Sequence, residues 1–224
     1  MLLTVSHSTT YSYATPQKRI VQSYRLLPSL CANQKVLAWD IAVGDATLTA
    51  PFGEGNGDRI MTMTAAGPVS ALKIEVRGQI ETQDFAGVLK DHKESISPLA
   101  YLRETQLSKP DATRRARAAE IAASQAGGTP LELAHALAGA TYAAIAYLPG
   151  SSQAGDSAAS AWAAGRGVCQ DQAQALIALA RCCGLPARYV IGYLFADAAG
   201  NSHEASHAWA ELHVAGLGWV GFDV

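Results

Sequence analysis

The segment Gly165-Arg166-Gly167-Val168-Cys169-Gln170-Asp171 decides the architecture of the second half of this 224-residue chain. It leads into an apolar helical pattern, and one face of the predicted helix carries Cys169, Ala173, Leu176, Ile177 and Ala180. We expect that face to pack on a β-sheet. Unpaired N–H groups and the helix dipole at the helix N-terminus favour a thiolate, the nucleophilic form of cysteine. The alternative is a buried structural cysteine.

Composition bounds the class of protein. Apolar residues make up 49% of the chain and charged residues 16%, which predicts a globular protein. The net charge of −2 gives no electrostatic argument for binding nucleic acid or an anionic membrane. No apolar run approaches the ~20 residues that span a bilayer, and residues 1–7 lack the features of a signal peptide. We therefore expect a cytoplasmic protein.

The four cysteines are too few and too irregularly spaced for a disulfide framework, so we expect reduced thiols. Cys31, Cys182 and Cys183 are interpreted as packing residues. A metal site would have to combine Cys169, Cys182, Cys183, His203 and His207, and their spacings fit no standard zinc pattern. Neither a metal nor another cofactor is expected.

Residues 1 to about 90 have the pattern of a β domain. Partial alternation between turn signals predicts strands over residues 9–13, 36–43, 59–63 and 72–77. The glycine-rich residues 53–58 could be mistaken for a phosphate-binding loop. No helical pattern follows them, so a hairpin or loop is the better interpretation.

From about residue 96 the chain becomes alanine-rich and helical. Helices are predicted over residues 110–126, from Thr129 to about Tyr147, over 157–164, and from Cys169 towards Gly184. The second helix has an apolar stripe of Leu133, Ala136, Leu137, Ala140 and Ala144, and the first carries Arg114, Arg115 and Arg117 on what we expect to be a solvated face. Strands over residues 187–195, 207–214 and 218–223 complete an α+β chain.

A nucleophilic thiol needs a base, and the downstream histidines are His203, His207 and His213. His207 is the best placed, because it begins a predicted strand that follows the helix. A histidine base also needs an acceptor that fixes its orientation, and Asp223 ends the next strand. If residues 215–217 form a three-residue loop, His207 and Asp223 share one face as diagonal neighbours. A regular four-residue loop would separate them, so we predict the three-residue loop or a bulge.

Other polar and aromatic residues near these positions have structural interpretations. His207, Trp209, Glu211 and His213 are predicted on one side of their strand, opposite Ala208, Ala210, Leu212 and Val214. Glu211 and His213 are expected at the surface or in support of the site, and His203 is expected in solvent or at the rim of a cleft. Asp171 is accounted for by the helix dipole. Trp219 is expected in the core, and Trp209 in the core or in a cleft wall.

Four blocks carry a resemblance to a known family. They are residues 165–171, residues 184–194 (Gly-Leu-Pro-Ala-Arg-Tyr-Val-Ile-Gly-Tyr-Leu), residues 205–211 (Ala-Ser-His-Ala-Trp-Ala-Glu) and residues 218–223 (Gly-Trp-Val-Gly-Phe-Asp). In this order they resemble the bacterial transglutaminase-like cysteine protease superfamily. Tyr11-Ser12-Tyr13, Arg25-Leu26-Leu27-Pro28 and Gly55-Asn56-Gly57 are similar to the N-terminal domain that accompanies this core in bacteria.

The resemblance implies a β-sandwich-like N-terminal domain over residues 1–95 and a papain-like core over 96–224. It implies Cys169 as nucleophile, His207 as general base and acid, and Asp223 as the residue that orients His207. The implied reaction is acyl transfer from an amide of a peptide or protein substrate through a thioester, with hydrolysis expected in preference to cross-linking. The Cys169 N–H would be one oxyanion donor, with Trp162 and Gln170 as candidates for a second.

The chain departs from the family pattern at its end. Family members usually continue beyond the position of Asp223, so the resemblance implies a core truncated after Val224. This leaves open a different class of function, in which the chain is a non-catalytic scaffold that keeps the fold and binds a protein partner.

Overall fold

The chain folds as two units. A computed structural model describes residues 1–152, 155–195 and 206–224. The first unit comprises Met1–Phe85 and Lys90–Ile96, and the second comprises Ala86–Leu89 and Ser97–Val224. The predicted α+β class, with an antiparallel β domain ahead of a helical core, is confirmed.

A long central strand organises the first unit. Strand β5 (Arg59–Thr82) pairs antiparallel with β1 (Leu2–Tyr24) on one side and with β2 (Gln34–Ala42) on the other, and two short strands, β3 (Thr47–Leu48) and β4 (Phe52–Gly53), also pair with it. Leu72, Ile74 and Val76 are buried, whereas Lys73, between the first two, and Arg77, after the last, are exposed. This alternation gives the strand one core-facing side. The core of this unit contains Ile20, Tyr24, Val43, Met63, Ala65, Leu72 and Ile74.

The prediction of separate strands over residues 59–63 and 72–77 is wrong, because both belong to β5. Gly67 and Pro68 interrupt the apolar alternation between them without ending the strand. A side chain at Gly67 would clash with the Gln17 carbonyl, so glycine allows β1 to pass close by. The register of β1 shifts on either side of Gln17, where the ladder accommodates this irregularity.

The predicted hairpin at residues 53–58 is confirmed. Gly53 pairs with Arg59, and the Glu54 N–H donates a hydrogen bond of 2.8 Å to the Asp58 carbonyl. Gly57 has a φ of +86°, which suits glycine in a tight turn.

The described residues of the second unit form four helices: α1 (Ala112–Ser124), α2 (Pro130–Ala144), α3 (Ala158–Ala164) and α4 (Cys169–Cys182). A 3₁₀ helix (Pro98–Leu102) precedes them, and the two-residue strands β6 (Ala146–Tyr147) and β7 (Arg166–Gly167) form a parallel pair. Side-chain caps start two of the helices: Asp111 accepts from the Arg114 N–H, and Thr129 and Glu132 form a capping box. No helix in the described ranges is long and apolar enough to cross a membrane.

Helix α4 is the centre of this unit. It packs against the other three helices and against a sheet of β8 (Ala187–Gly192), β9 (His207–Val214) and β10 (Gly218–Phe222) in the order β10-β9-β8. Ten of its fourteen residues are buried, as expected for a helix covered on nearly all sides. Its residues Leu176, Ile177, Leu179 and Ala180 share a core cluster with Ala187, Ala210, Leu212, Val214, Val220 and Phe222.

Strand β10 is supported on both sides. It pairs with β9 on one side, and on the other the Leu89 N–H donates to the Trp219 carbonyl while the Gly221 N–H donates to Gly87. The segment before the helices therefore covers the outer edge of β10. Asp223 follows directly after this doubly bonded strand.

Two predictions for α2 need correction. The helix ends at Ala144 rather than near Tyr147, because Ile145 is extended and the next two residues join β6. Its buried face consists of Ala134, Leu137, Ala138 and Thr141, whereas the predicted stripe was Leu133, Ala136, Leu137, Ala140 and Ala144. This helix has alanines on every side, so the hydrophobicity of its residues does not distinguish the buried face from the others.

The expectation that Arg114 lies on a solvated face is wrong. Only 1% of Arg114 is exposed, while Arg115 and Arg117 are largely in solvent. The Arg114 guanidinium donates a 3.4 Å hydrogen bond to the Ala158 carbonyl, at the start of α3, and lies 3.0 Å from the Asp111 carboxylate. It therefore links α1 to α3 instead of facing water.

An ion pair is buried on the sheet face that points away from α4. Arg188 on β8 lies directly opposite Glu211 on β9, with 2.8 Å between Arg188 Nε and Glu211 Oε2 and side chains 12% and 10% exposed. The Arg188 guanidinium also stacks 4.2 Å from the Trp219 ring centroid. Glu211 is thus a buried partner of Arg188 rather than a surface residue, and Trp219 is buried as predicted.

Replacing Glu211 with alanine is expected to lower the free energy of unfolding by about 3–5 kcal/mol, because Arg188 would remain buried without its partner. Chemical denaturation measures this loss. The matched control is Glu120→Ala, which breaks the exposed pair with Arg117 and is expected to cost at most about 1 kcal/mol. Equal losses in the two variants would contradict this account of the Arg188–Glu211 pair.

Candidate active site

Cys169 is the first residue of α4, and local packing fixes where that helix begins. The Asp171 carboxylate accepts a 2.8 Å hydrogen bond from the Val168 N–H, just before the helix. A Cβ on Gly167 would lie 2.7 Å from the Asp171 Cβ, so glycine at this position lets the carboxylate fold back over the preceding chain. Asp171 is buried and therefore adds a specific cap to the dipole interaction predicted for it.

The Cys169 thiol is buried at the N-terminal end of α4. It donates a 3.2 Å hydrogen bond to Oε1 of Gln170, and no hydrogen bond among the described residues joins it to His207. The Cys169 N–H lies in the first turn of the helix, where no earlier turn supplies a carbonyl acceptor. Gln172 is buried and donates a 3.0 Å hydrogen bond to the Ile145 carbonyl, which ties this end of α4 to the chain after α2.

The predicted three-residue loop between β9 and β10 is confirmed. Val214 pairs with Gly218, which leaves residues 215–217 as the loop, and Gly216 has a φ of +85°. Phe222 therefore lies opposite Ala210, and the next residue, Asp223, points to the same side of the sheet as His207.

His207 and Asp223 are in direct contact. His207 Nε2 lies 2.8 Å and 2.9 Å from the two carboxylate oxygens of Asp223. Donation from Nε2–H to the carboxylate leaves Nδ1 as the ring nitrogen that can accept a proton. The His207 side chain is 17% exposed and that of Asp223 is 52% exposed, so water reaches the carboxylate end of the pair.

Trp209 lies beside His207 on the same face of β9. The two rings are roughly parallel, at 29°, with 6.3 Å between centroids. A Cβ on Gly192 of β8 would come within 2.7 Å of the Trp209 ring, and one on Gly221 of β10 within 3.7 Å. The indole therefore lies across both neighbouring strands next to the histidine. Glycines within the two flanking strands are the sequence signal for this arrangement.

The remaining predicted residues occupy different places. Trp162 packs between two core clusters of the second unit, and His213 contacts the edge of the Trp219 ring. Burial raises the pKa of the Cys182 and Cys183 thiols, which lie at the opposite end of α4 from Cys169. His203 lies outside the described residues.

Comparisons with known proteins agree with this architecture. Residues 115–224 match the sequence model of the transglutaminase-like superfamily, and residues 3–81 match that of the bacterial transglutaminase-like N-terminal region. The chain is also similar to an uncharacterized protein of Mycobacterium leprae (strain TN). The alignment is 237 residues long with gaps, has 27% identity, and covers 98% of this chain and 81% of that protein.

A solved structure shows the same fold. A crystal structure of a protein from Cytophaga hutchinsonii, named a putative cysteine protease, superimposes with a TM-score of 0.73 and 18% identity, covering 100% of this chain and 78% of that one. The periplasmic domain of TgpA from Pseudomonas aeruginosa is a more distant neighbour, with 20% identity and a TM-score of 0.49, covering 96% of this chain and 74% of that one. The resemblance predicted from the sequence is confirmed: residues 115–224 match the transglutaminase-like superfamily, and residues 3–81 before them match the bacterial N-terminal region.

Proposed function

We propose that this chain is a cysteine-dependent acyl-transfer enzyme that cleaves amide bonds of peptide or protein substrates, at a glutamine side chain or a peptide bond. The observation that carries the proposal is the His207–Asp223 contact on the sheet that packs against α4. It supplies an oriented base on the sheet that supports the nucleophile helix. Cys169, His207 and Asp223 are the proposed triad, with no metal or other cofactor.

The proposed reaction has two halves. Cys169 transfers its proton to Nδ1 of His207, and the thiolate attacks the amide carbonyl to form a C–S bond and a tetrahedral oxyanion. As the C–N bond breaks, His207 returns the proton to the leaving ammonia or amine, and a thioester remains. Water then loses a proton to His207 and attacks the thioester, the C–S bond breaks to release the acid, and His207 returns the proton to the Cys169 sulfur. The Asp223 carboxylate stabilises the imidazolium formed in each half.

One feature supports hydrolysis in preference to cross-linking. Asp223 is half exposed, so water has access to the end of the site where the base is oriented. Cross-linking needs an amine to reach the thioester while water is kept away.

A cytoplasmic location is proposed on the sequence composition alone.

The alternative is a non-catalytic scaffold that binds a protein partner. One observation favours it: the Cys169 thiol is hydrogen-bonded to Gln170 rather than to His207. The two functions differ in whether Cys169 can be acylated, so acylation by p-nitrophenyl acetate, a small activated ester, separates them.

Cys169→Ala is expected to abolish formation of the acyl-enzyme, because the acyl group has no other activated thiol to accept it. His207→Ala is expected to slow acylation by about 10²–10⁴-fold, the usual contribution of a general base. Stopped-flow release of nitrophenolate and intact-protein mass spectrometry measure both effects. Cys182→Ala, at the other end of α4, is the control and should behave as the wild type. Equal acylation of Cys169→Ala and wild type would favour the scaffold.

Asp223→Asn is expected to slow acylation by about 10–100-fold, because the amide orients His207 less well and does not stabilise its cation. The effect should be smaller than the roughly 10⁴-fold loss for a buried triad aspartate, since Asp223 is half exposed. Nitrophenolate release at fixed pH gives the rates. Asp45→Asn, at an exposed position in the first unit, controls for the change of net charge. An unchanged rate in Asp223→Asn would remove Asp223 from the triad.

Hydrolysis predicts that the acetyl-enzyme passes its acetyl group mainly to water, even when a primary amine such as glycine ethyl ester is added. Chromatography of the products compares free acetate with the N-acetylated amine. Acetate is expected to predominate because water reaches the His207–Asp223 pair. Predominance of the N-acetylated amine would assign the chain to amine transfer instead.

A further inference from the structure

Tyr189 projects from β8 towards the helix that carries the nucleophile. It lies directly opposite Ala210 of β9, and cross-strand partners point to the same face of a sheet. Ala210 belongs to the core cluster that includes the buried side of α4. The Tyr189 side chain therefore leaves the sheet on the α4 side, opposite to the face that holds Arg188 and Glu211.

The position of Tyr189 along β8 brings it near the first turn of α4. Ala187, two residues earlier, joins a core cluster with Leu176 and Leu179 from the later turns of the helix. Burial, followed by the charges of Cys169 and Asp171, raises the pKa of Tyr189 to about 12. Both of these residues belong to the first turn of α4, so the phenol lies within electrostatic range of the nucleophile.

The Tyr189 hydroxyl is available to a ligand. The hydroxyl makes no hydrogen bond to any residue of the described ranges, and the residue as a whole is 37% exposed. With its pKa at about 12, the hydroxyl keeps its proton at neutral pH and can act as a donor. By contrast, the Gln170 side chain is engaged with the Cys169 thiol, and Trp162 packs in the core.

We infer that the Tyr189 hydroxyl donates a hydrogen bond to the oxyanion that forms when Cys169 attacks its substrate, an inference that rests on the proposed function. The Cys169 N–H and the Tyr189 O–H together supply the two donors of the oxyanion site. As the thiolate adds to the carbonyl carbon, the C=O π electrons move onto oxygen, and Tyr189 stabilises that charge without giving up its proton. Removing one such donor in other enzymes costs about 10²–10³-fold in rate.

Tyr189→Phe tests the inference, because it removes only the hydroxyl. Two reactions of Cys169 are compared: acylation by p-nitrophenyl acetate, which passes through an oxyanion, and alkylation by iodoacetamide, a direct displacement of iodide that forms none. Acylation of Tyr189→Phe should fall by about 10²-fold while alkylation keeps its wild-type rate. Tyr142→Phe, which removes an exposed hydroxyl on α2, should leave both rates unchanged.

Three results would overturn the inference. Wild-type acylation in Tyr189→Phe would show that the hydroxyl is not a donor. Equal losses of acylation and alkylation would show that Tyr189 only positions the thiol. A selective loss of acylation in Gln170→Ala, with none in Tyr189→Phe, would assign the donor to Gln170. A fourth result is distinct from these three. If the wild type is acylated no faster than Cys169→Ala, the proposed function is wrong, and the inference that rests on it is wrong as well.

Discussion

The register between β9 and β10 is the constraint on which the candidate site depends. Side chains alternate along a strand, so a slip of one residue would send Asp223 to the opposite face from His207. The three-residue loop and the pairing of Val214 with Gly218 prevent that slip. Backbone hydrogen bonds from residues 87–89 secure the outer edge of β10 as well. This pairing places His207 and Asp223 on one face, where they form the 2.8 Å contact.

Helix α4 joins the site to the core. The helix that buries Leu176, Ile177 and Leu179 also begins with Cys169, so the packing that stabilises the second unit also positions the thiol. Gly167 and the Asp171 carboxylate fix the first turn against the preceding chain. The buried turns hold the helix rigidly, while the first turn presents its N–H groups at the candidate site. Tyr189, on β8, would add a second hydrogen-bond donor there.

Much of this arrangement could be predicted because it depends on local rules. Capping residues located the helix starts, and counting the loop residues placed His207 and Asp223 on one face. The features that were missed depend on contacts distant in sequence. Arg114 is buried because of the Ala158 carbonyl, and Glu211 because Arg188 lies opposite it. Two other features were not predicted: strand β5 continues through Gly67 and Pro68, and the alanine-rich α2 buries a different face from the one expected. The catalytic roles of Cys169, His207 and Asp223 remain a proposal.

The central claim is that Asp223 acts on Cys169 only through His207. A double-mutant cycle tests it, with acylation by p-nitrophenyl acetate measured for wild type, His207→Ala, Asp223→Asn and the double variant. If the two residues act as one unit, Asp223→Asn slows the wild type but has no further effect once His207 is alanine. An equal slowing by Asp223→Asn in both backgrounds would contradict the account, because the two residues would then act independently.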